Sequence, residues 1–162
     1  MNEELLRLYN SFNKEHLPGF FDQLVEFINI NKEKFEGFLF NDSLDAIKRF
    51  KASDFYLGTS EDNFKLAIRY YVDKIPNFSD RDICKNVINL LWDLATYMSN
   101  EVCPSCQDST LKIASSLDKK QIYKTCDSCL ITIFQNTFIK RPEEMVPATR
   151  KQVDSLDDYL NA

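Results

Sequence analysis

Glycine is scarce in this sequence, with 3 in 162 residues, and histidine and tryptophan occur once each. Glycines only at positions 19, 37 and 58 leave no Gly-rich loop to wrap a phosphate in backbone amides, which excludes P-loop, kinase and dinucleotide-binding patterns. The one histidine, His16, falls in a polar stretch between helical patterns, with no flanking motif to make it a general base, and reads as a surface residue. Hydrolase and metalloprotease motifs are absent as well. No run approaches the ~20 uncharged apolar residues of a membrane span, because the most hydrophobic segment, from Ile83 to Met98, carries Lys85, Asn86, Asn89 and Asp93. The first residues, Met1-Asn2-Glu3-Glu4, are acidic where a secretory signal is basic. The expectation is a cytoplasmic protein with no membrane partner.

What is present suffices for a packed core. The chain is 44% hydrophobic and 28% charged, with 13 Phe and 7 Tyr. A chain of this mass buries about 70% of its unfolded surface, so disulfides are not needed to stabilise it. Acidic and basic residues are unevenly spread. Residues 1–100 hold 12 Lys+Arg and 16 Asp+Glu, net −4; residues 101–141 hold 6 and 4, net +2; residues 142–162 hold 2 and 5, net −3. The total of −5 disfavours broad contact with a phosphate backbone and suits a basic protein partner.

Helical periodicity dominates residues 1–100, which read as about five helices. Leu5, Leu8, Tyr9 and Phe12 form a first stripe. Phe20, Phe21, Leu24, Val25, Phe27 and Ile28 form a second, continued by Phe35, Phe38 and Leu39, and a short helix carries Leu44, Ile47 and Phe50 behind a cap at Asp42 or Ser43. Thr59-x-x-Asp62 has the form of a capping box before Phe64, Ala67, Ile68, Tyr71, Val72 and Ile75, and Pro76 stops that helix. Ser79-x-x-Asp82 opens the next, in which Ile83, Val87, Leu90, Leu91, Leu94 and Met98 share a face widened by Cys84, Ile88, Trp92 and Ala95; so broad an apolar face belongs at the centre of a helical domain. Asp80 and Asp82 can be drawn as a metal-binding carboxylate pair, but at a helix start they simply oppose the positive end of its dipole. Cys84 reads as a small buried hydrophobe.

After Asn100 the period shortens. Leu111 and Ile113, then Ile122 to Thr125, then Leu130 to Phe134 fit three short strands, and beyond Arg141-Pro142 a last amphipathic helix carries Val153, Leu156, Tyr159 and Leu160. Within this segment lie Cys103-Pro104-Ser105-Cys106 and Cys126-Asp127-Ser128-Cys129, a C-x2-C-x19-C-x2-C pattern. Each C-x2-C turn lets two thiolates reach one tetrahedral ion, and a hairpin between the pairs brings them together. A redox dithiol or four core cysteines are the alternatives.

The pattern over residues 101–140 resembles a zinc ribbon. The resemblance implies that Cys103, Cys106, Cys126 and Cys129 ligate one structural Zn2+, with no open position for water or substrate. Zinc ribbons are frequent in nucleic-acid machinery, and Lys119, Lys120, Tyr123 and Lys124 then become the candidate contacts of an alternative function as a nucleic-acid-associated factor. The architecture expected is mainly α: a helical domain at 1–100, a small three-stranded zinc ribbon at 101–141 and a C-terminal helix at 142–162.

In size, acidity, aromatic-rich helices and want of a catalytic set, the chain resembles bacterial immunity proteins that neutralise toxins. That resemblance implies a non-enzymatic inhibitor or adaptor and a stoichiometric partner, such as a basic nuclease, covered by acidic and aromatic residues. The densest local mixture of both kinds is Asp54-Phe55-Tyr56 with Glu61-Asp62, the candidate partner contact.

Overall fold

A computed structural model describes residues 1–12, 17–39, 41–57 and 61–156. His16, the Thr59 end of the first expected capping box, and Tyr159 and Leu160 of the last expected helix lie outside the described residues, as do the side chains of Asn41 and of residues 61–65. The chain divides into two compact units. The first comprises Met1–Ser53 and Leu57–Leu94; the second comprises Asp54–Tyr56 and the chain from Ala95 onward.

The first unit is helical: α1 Asn2–Asn10, α2 Leu17–Ile30, α3 Lys32–Glu36, α4 Asn41–Ile47, α5 Glu61–Val72 and α6 beginning at Asp80 and running to Ala95, with 3-10 turns at Ala52–Asp54 and Ile75–Asn77. Glu3 and Glu4 sit in the first turn of α1, where they oppose the dipole, and Leu5 and Tyr9 are its buried residues. Pro18 falls in the first turn of α2, where a missing N–H costs nothing. All six apolar residues of the α2 stripe, from Phe20 to Ile28, are buried. Asn31 interrupts the pattern, and α3 returns Phe35 to the core edge-on to Phe27, at 6.3 Å between ring centroids. The Asp22 carboxylate accepts the Ala52 N–H at 2.8 Å, fixing the turn that follows α4.

Pro76 does not end α5 directly. The helix stops at Val72 and the proline occupies a 3-10 turn; the Asn2 side chain donates at 3.0 Å to the carbonyls of Ile75, which opens that turn, and of Phe78, which follows it. α6 opens with the expected reciprocal cap: Ser79 N–H donates to Asp82 Oδ2 at 3.1 Å and Asp82 N–H to Ser79 Oγ at 3.2 Å. Ile83, Cys84, Val87, Ile88, Leu90, Leu91 and Leu94 are buried along it. Asn86, on the same helix, is buried and accepts from the Tyr9 hydroxyl at 2.6 Å.

The second unit overturns the expectation of a mainly α chain with a three-stranded ribbon. The fold is mixed α/β, with seven helices and six strands among the described residues: β1 Tyr97–Val102, β2 Thr110–Ser115, β3 Ile122–Thr125, β4 Thr132–Phe134, β5 Thr137–Ile139 and β6 Val146–Pro147, followed by α7 Arg150–Asp154. All pairings are antiparallel, in the order β1-β2-β3-β4-β5, with β6 also on β2. β2, β3 and β4 lie where the alternation places strands. β1, β5 and β6 are additional, and each is too short or too irregular to show an apolar period. β1 breaks register against β2 between Met98 and Val102. β5 returns from β4 through Gln135 and Asn136, both with left-handed backbone (φ 46° and 60°), the geometry of a type I′ turn. β6 is two residues ending in Pro147, whose missing N–H suits a sheet margin.

The registers align Tyr97, Ile113, Lys124, Ile133 and Phe138 in one row across five strands, with Met98, Lys112, Thr125, Thr132 and Ile139 in the next row on the opposite face. Ile113 and Ile122 on the first face pack with Ala148, Tyr97, Val153 and Leu156, so the C-terminal helix covers that part of the sheet. α7 is held by a capping box in which Thr149 accepts from Gln152 N–H and Gln152 Oε1 accepts from Thr149 N–H at 2.9 Å. The buried Gln152 amide then donates to Ser115 Oγ at 2.8 Å and to the Lys119 carbonyl at 3.1 Å, tying the helix to the β2–β3 hairpin.

Candidate metal centre

The four cysteines of the paired motif meet at the opposite end of that hairpin. Cys103 follows β1 and Cys126 follows β3, so antiparallel pairing through β2 brings the two motifs side by side. Their sulfurs all lie within 4.8 Å of one another. The closest contacts run between the pairs: Cys103 Sγ to Cys129 Sγ is 3.6 Å, and Cys106 Sγ to Cys126 Sγ is 3.7 Å. These are far longer than the ~2.05 Å of a disulfide. They match the edge of a tetrahedron of sulfurs about 2.3 Å from a central ion, which is about 3.8 Å.

Cys103 and Cys126 are fully buried, with Cys106 and Cys129 more open, and Leu111, Ile131 and Ile133 pack around them. The two turns are built alike. Gln107 and Leu130, each directly after the second cysteine of its pair, have φ of 59° and 60°. This left-handed kink ends each turn; Gln107 N–H donates to Cys103 O at 3.0 Å, and Cys126 N–H donates to Ile131 O at 3.1 Å. The second turn is further pinned through Asp127, which pairs with Lys112 at 2.6 Å and Arg141 at 3.8 Å.

Backbone amides favour the ionised form of the first cysteine of each pair. The N–H groups of Cys106 and then Ser105 hold the Cys103 thiol below its ordinary range. For Cys126 the N–H of Cys129 is the largest influence, joined by the Ser109 hydroxyl and the Ser128 N–H, and the thiol is lowered to about 6. Burial pushes Cys129 the other way, to about 11, with the neighbouring sulfurs adding to the rise. A divalent cation held by all four sulfurs would displace the protons they carry. The four sulfurs fit Zn2+ in number, softness and spacing.

The other sequence-derived candidates are placed as follows. Phe55 is 1% exposed and Asp54 half-buried. Tyr56 is exposed, but its hydroxyl donates to Asp154, its ring lies 5.6 Å from Tyr97, and the Arg150 guanidinium stands 4.7 Å above it while donating to Phe55 O at 3.1 Å. Glu61 and Asp62 begin α5, and their side chains lie outside the described residues. Among the lysine-rich candidates, Tyr123 and Lys124 are buried, and Lys124 Nζ is gripped by both carboxylate oxygens of Glu101 at 2.6 and 2.8 Å. Lys119 and Lys120 are exposed at the hairpin turn, with Lys120 3.6 Å from Asp118. Asp82 caps α6, and Asp80 pairs with Lys34 at 2.7 Å. Cys84 is buried on α6 and its thiol pushed up to about 11 by burial. Sequence reasoning missed Ser109, whose hydroxyl reaches the cysteine cluster; nothing in its local sequence signals that placement. Among the described residues, no helix is long and apolar enough to cross a membrane. No protein-family model, curated protein or solved structure matches this chain.

Proposed function

We propose that this chain is a non-catalytic protein-binding module whose second unit is organised by a structural Zn2+ ion on Cys103, Cys106, Cys126 and Cys129. The observation that carries the metal reading is the convergence of the four sulfurs to within 4.8 Å of one another, with cross-pair contacts of 3.6 and 3.7 Å. Four thiolates complete a zinc shell, so the ion ties two turns of the sheet together and leaves no position for a substrate. Bound only when all four ligands are assembled, it contributes on the order of 10 kcal/mol to local folding.

The partner we infer is a basic protein, held in a stoichiometric complex as an immunity protein holds its toxin. The net charge of −5, to which residues 1–100 contribute −4 and residues 142–162 −3, supports this by favouring encounter with a positive surface. The buried Lys124 and Tyr123 weigh against the nucleic-acid reading, because they leave only Lys119 and Lys120 of the four candidate contacts at the surface. The test is purification of the zinc-loaded chain from its native cells, followed by native mass spectrometry at low and high salt. A complex of fixed stoichiometry with a basic protein is the expected result. Salt-sensitive nucleic acid without a protein partner would replace the proposal with the alternative.

A further inference from the structure

Resting on the zinc reading, we infer that Ser109 is the positioning residue of the metal centre, its hydroxyl the final donor of a Ser128–Ser109–Cys126 relay. Ser109 serves the first cysteine turn through its backbone, where its carbonyl accepts the Cys103 N–H at 2.8 Å. It serves the second through its side chain. Ser109 Oγ lies 3.6 Å from Cys126 Sγ, 3.9 Å from Cys106 Sγ and 2.6 Å from Ser128 Oγ, within the second C-x2-C turn.

Proton accounting fixes the direction of these bonds. A metal-bound thiolate carries no proton and can only accept. A serine hydroxyl has one proton, so Ser109 gives its proton to sulfur and takes that of Ser128, an O–H···O–H···S chain in which the first bond strengthens the second. The shorter contact makes Cys126 the acceptor. Drawing charge from this sulfur lowers its affinity for a competing proton or electrophile, while the same residue locks the two turns in register. Groups that orient metal ligands in this way are worth about 10–100-fold in metal affinity.

Cobalt substitution and zinc competition on the full chain test this directly. In Ser109→Ala, the sulfur-to-cobalt charge-transfer bands should move to lower energy, because a thiolate without its donor gives up an electron more readily. Zinc should pass to a chromogenic chelator about 10-fold more easily. Ser109→Thr, which keeps the hydroxyl, should restore both readouts. Ser128→Ala, at an exposed position, should shift the bands the same way by a smaller amount and keeps the test available if Ser109→Ala does not fold. Wild-type spectra and chelator competition in Ser109→Ala, or wild-type spectra in Ser128→Ala, would overturn the relay while leaving the zinc site intact. A wild-type chain that takes up neither cobalt nor zinc would overturn the metal reading and this inference with it.

Discussion

Substituting Tyr9 by phenylalanine removes one oxygen from the core of the first unit, and its consequence can be worked out from a single contact. Tyr9 is 2% exposed and Asn86 5% exposed, and the hydroxyl donates to Asn86 Oδ1 at 2.6 Å across 77 residues of sequence. In Tyr9→Phe the ring packing is retained, but a buried carbonyl oxygen loses its donor, at a cost of about 1–3 kcal/mol. For a chain of this length that corresponds to a fall in Tm of roughly 2–12 °C. Asn86→Leu alone strands the hydroxyl at a similar cost. The double variant leaves nothing stranded, so its loss should be smaller than the sum of the two by about 1–2 kcal/mol. The single tryptophan, Trp92, lies on α6 six residues beyond Asn86 and reports the unfolding of this unit by fluorescence in urea.

The same group predicts a pH dependence. Burial, with a smaller contribution from Tyr71, raises the Tyr9 phenol well above its ordinary range. A group whose folded-state pKa is raised stabilises fully below the unfolded value near 10 and loses that contribution as pH rises beyond it. Above pH ~10 the wild type should therefore lose about 1.4 kcal/mol per pH unit more than Tyr9→Phe. Additive single variants, together with parallel stability curves above pH ~10, would refute the buried pair.

Leu94, 1% exposed on α6, should cost about 2–5 kcal/mol when cut to alanine, and a loss below ~0.5 kcal/mol in the same urea melts would contradict its burial. Cys84→Ala should leave bound metal per chain unchanged. In the native protein Cys84 should resist alkylation at pH 8, since the thiol is buried and burial pushes it up to about 11; rapid labelling there would refute that environment. Leu130, 67% exposed with φ of 60°, should gain about 1 kcal/mol on replacement by glycine, with metal content unaltered, and a loss of thermal stability would show that the left-handed kink carries no strain.

Much of the first unit is legible in the sequence because its signals are local. The stripe from Ile83 to Leu94 and the reciprocal cap of Ser79 and Asp82 lie within one helix, where the side chain that predicts a contact is also the one that makes it. The four cysteines are legible for another reason: their spacing encodes a hairpin closed at one end. What escapes detection is structure fixed by distant partners. β1 has a register break in place of a period. The β4–β5 turn adopts left-handed geometry at Gln135 and Asn136 without the glycine that announces it. Asp54–Tyr56 belong to the second unit because Arg150 and Asp154 clasp Phe55 and Tyr56 from nearly a hundred residues away, a pairing no window of sequence contains.

Zinc K-edge X-ray absorption on the protein purified without chelator addresses the central claim most directly. One zinc per chain in a shell of four sulfurs at about 2.3 Å is the predicted result. A shell that includes oxygen or nitrogen, or a folded second unit that holds no zinc, would contradict it.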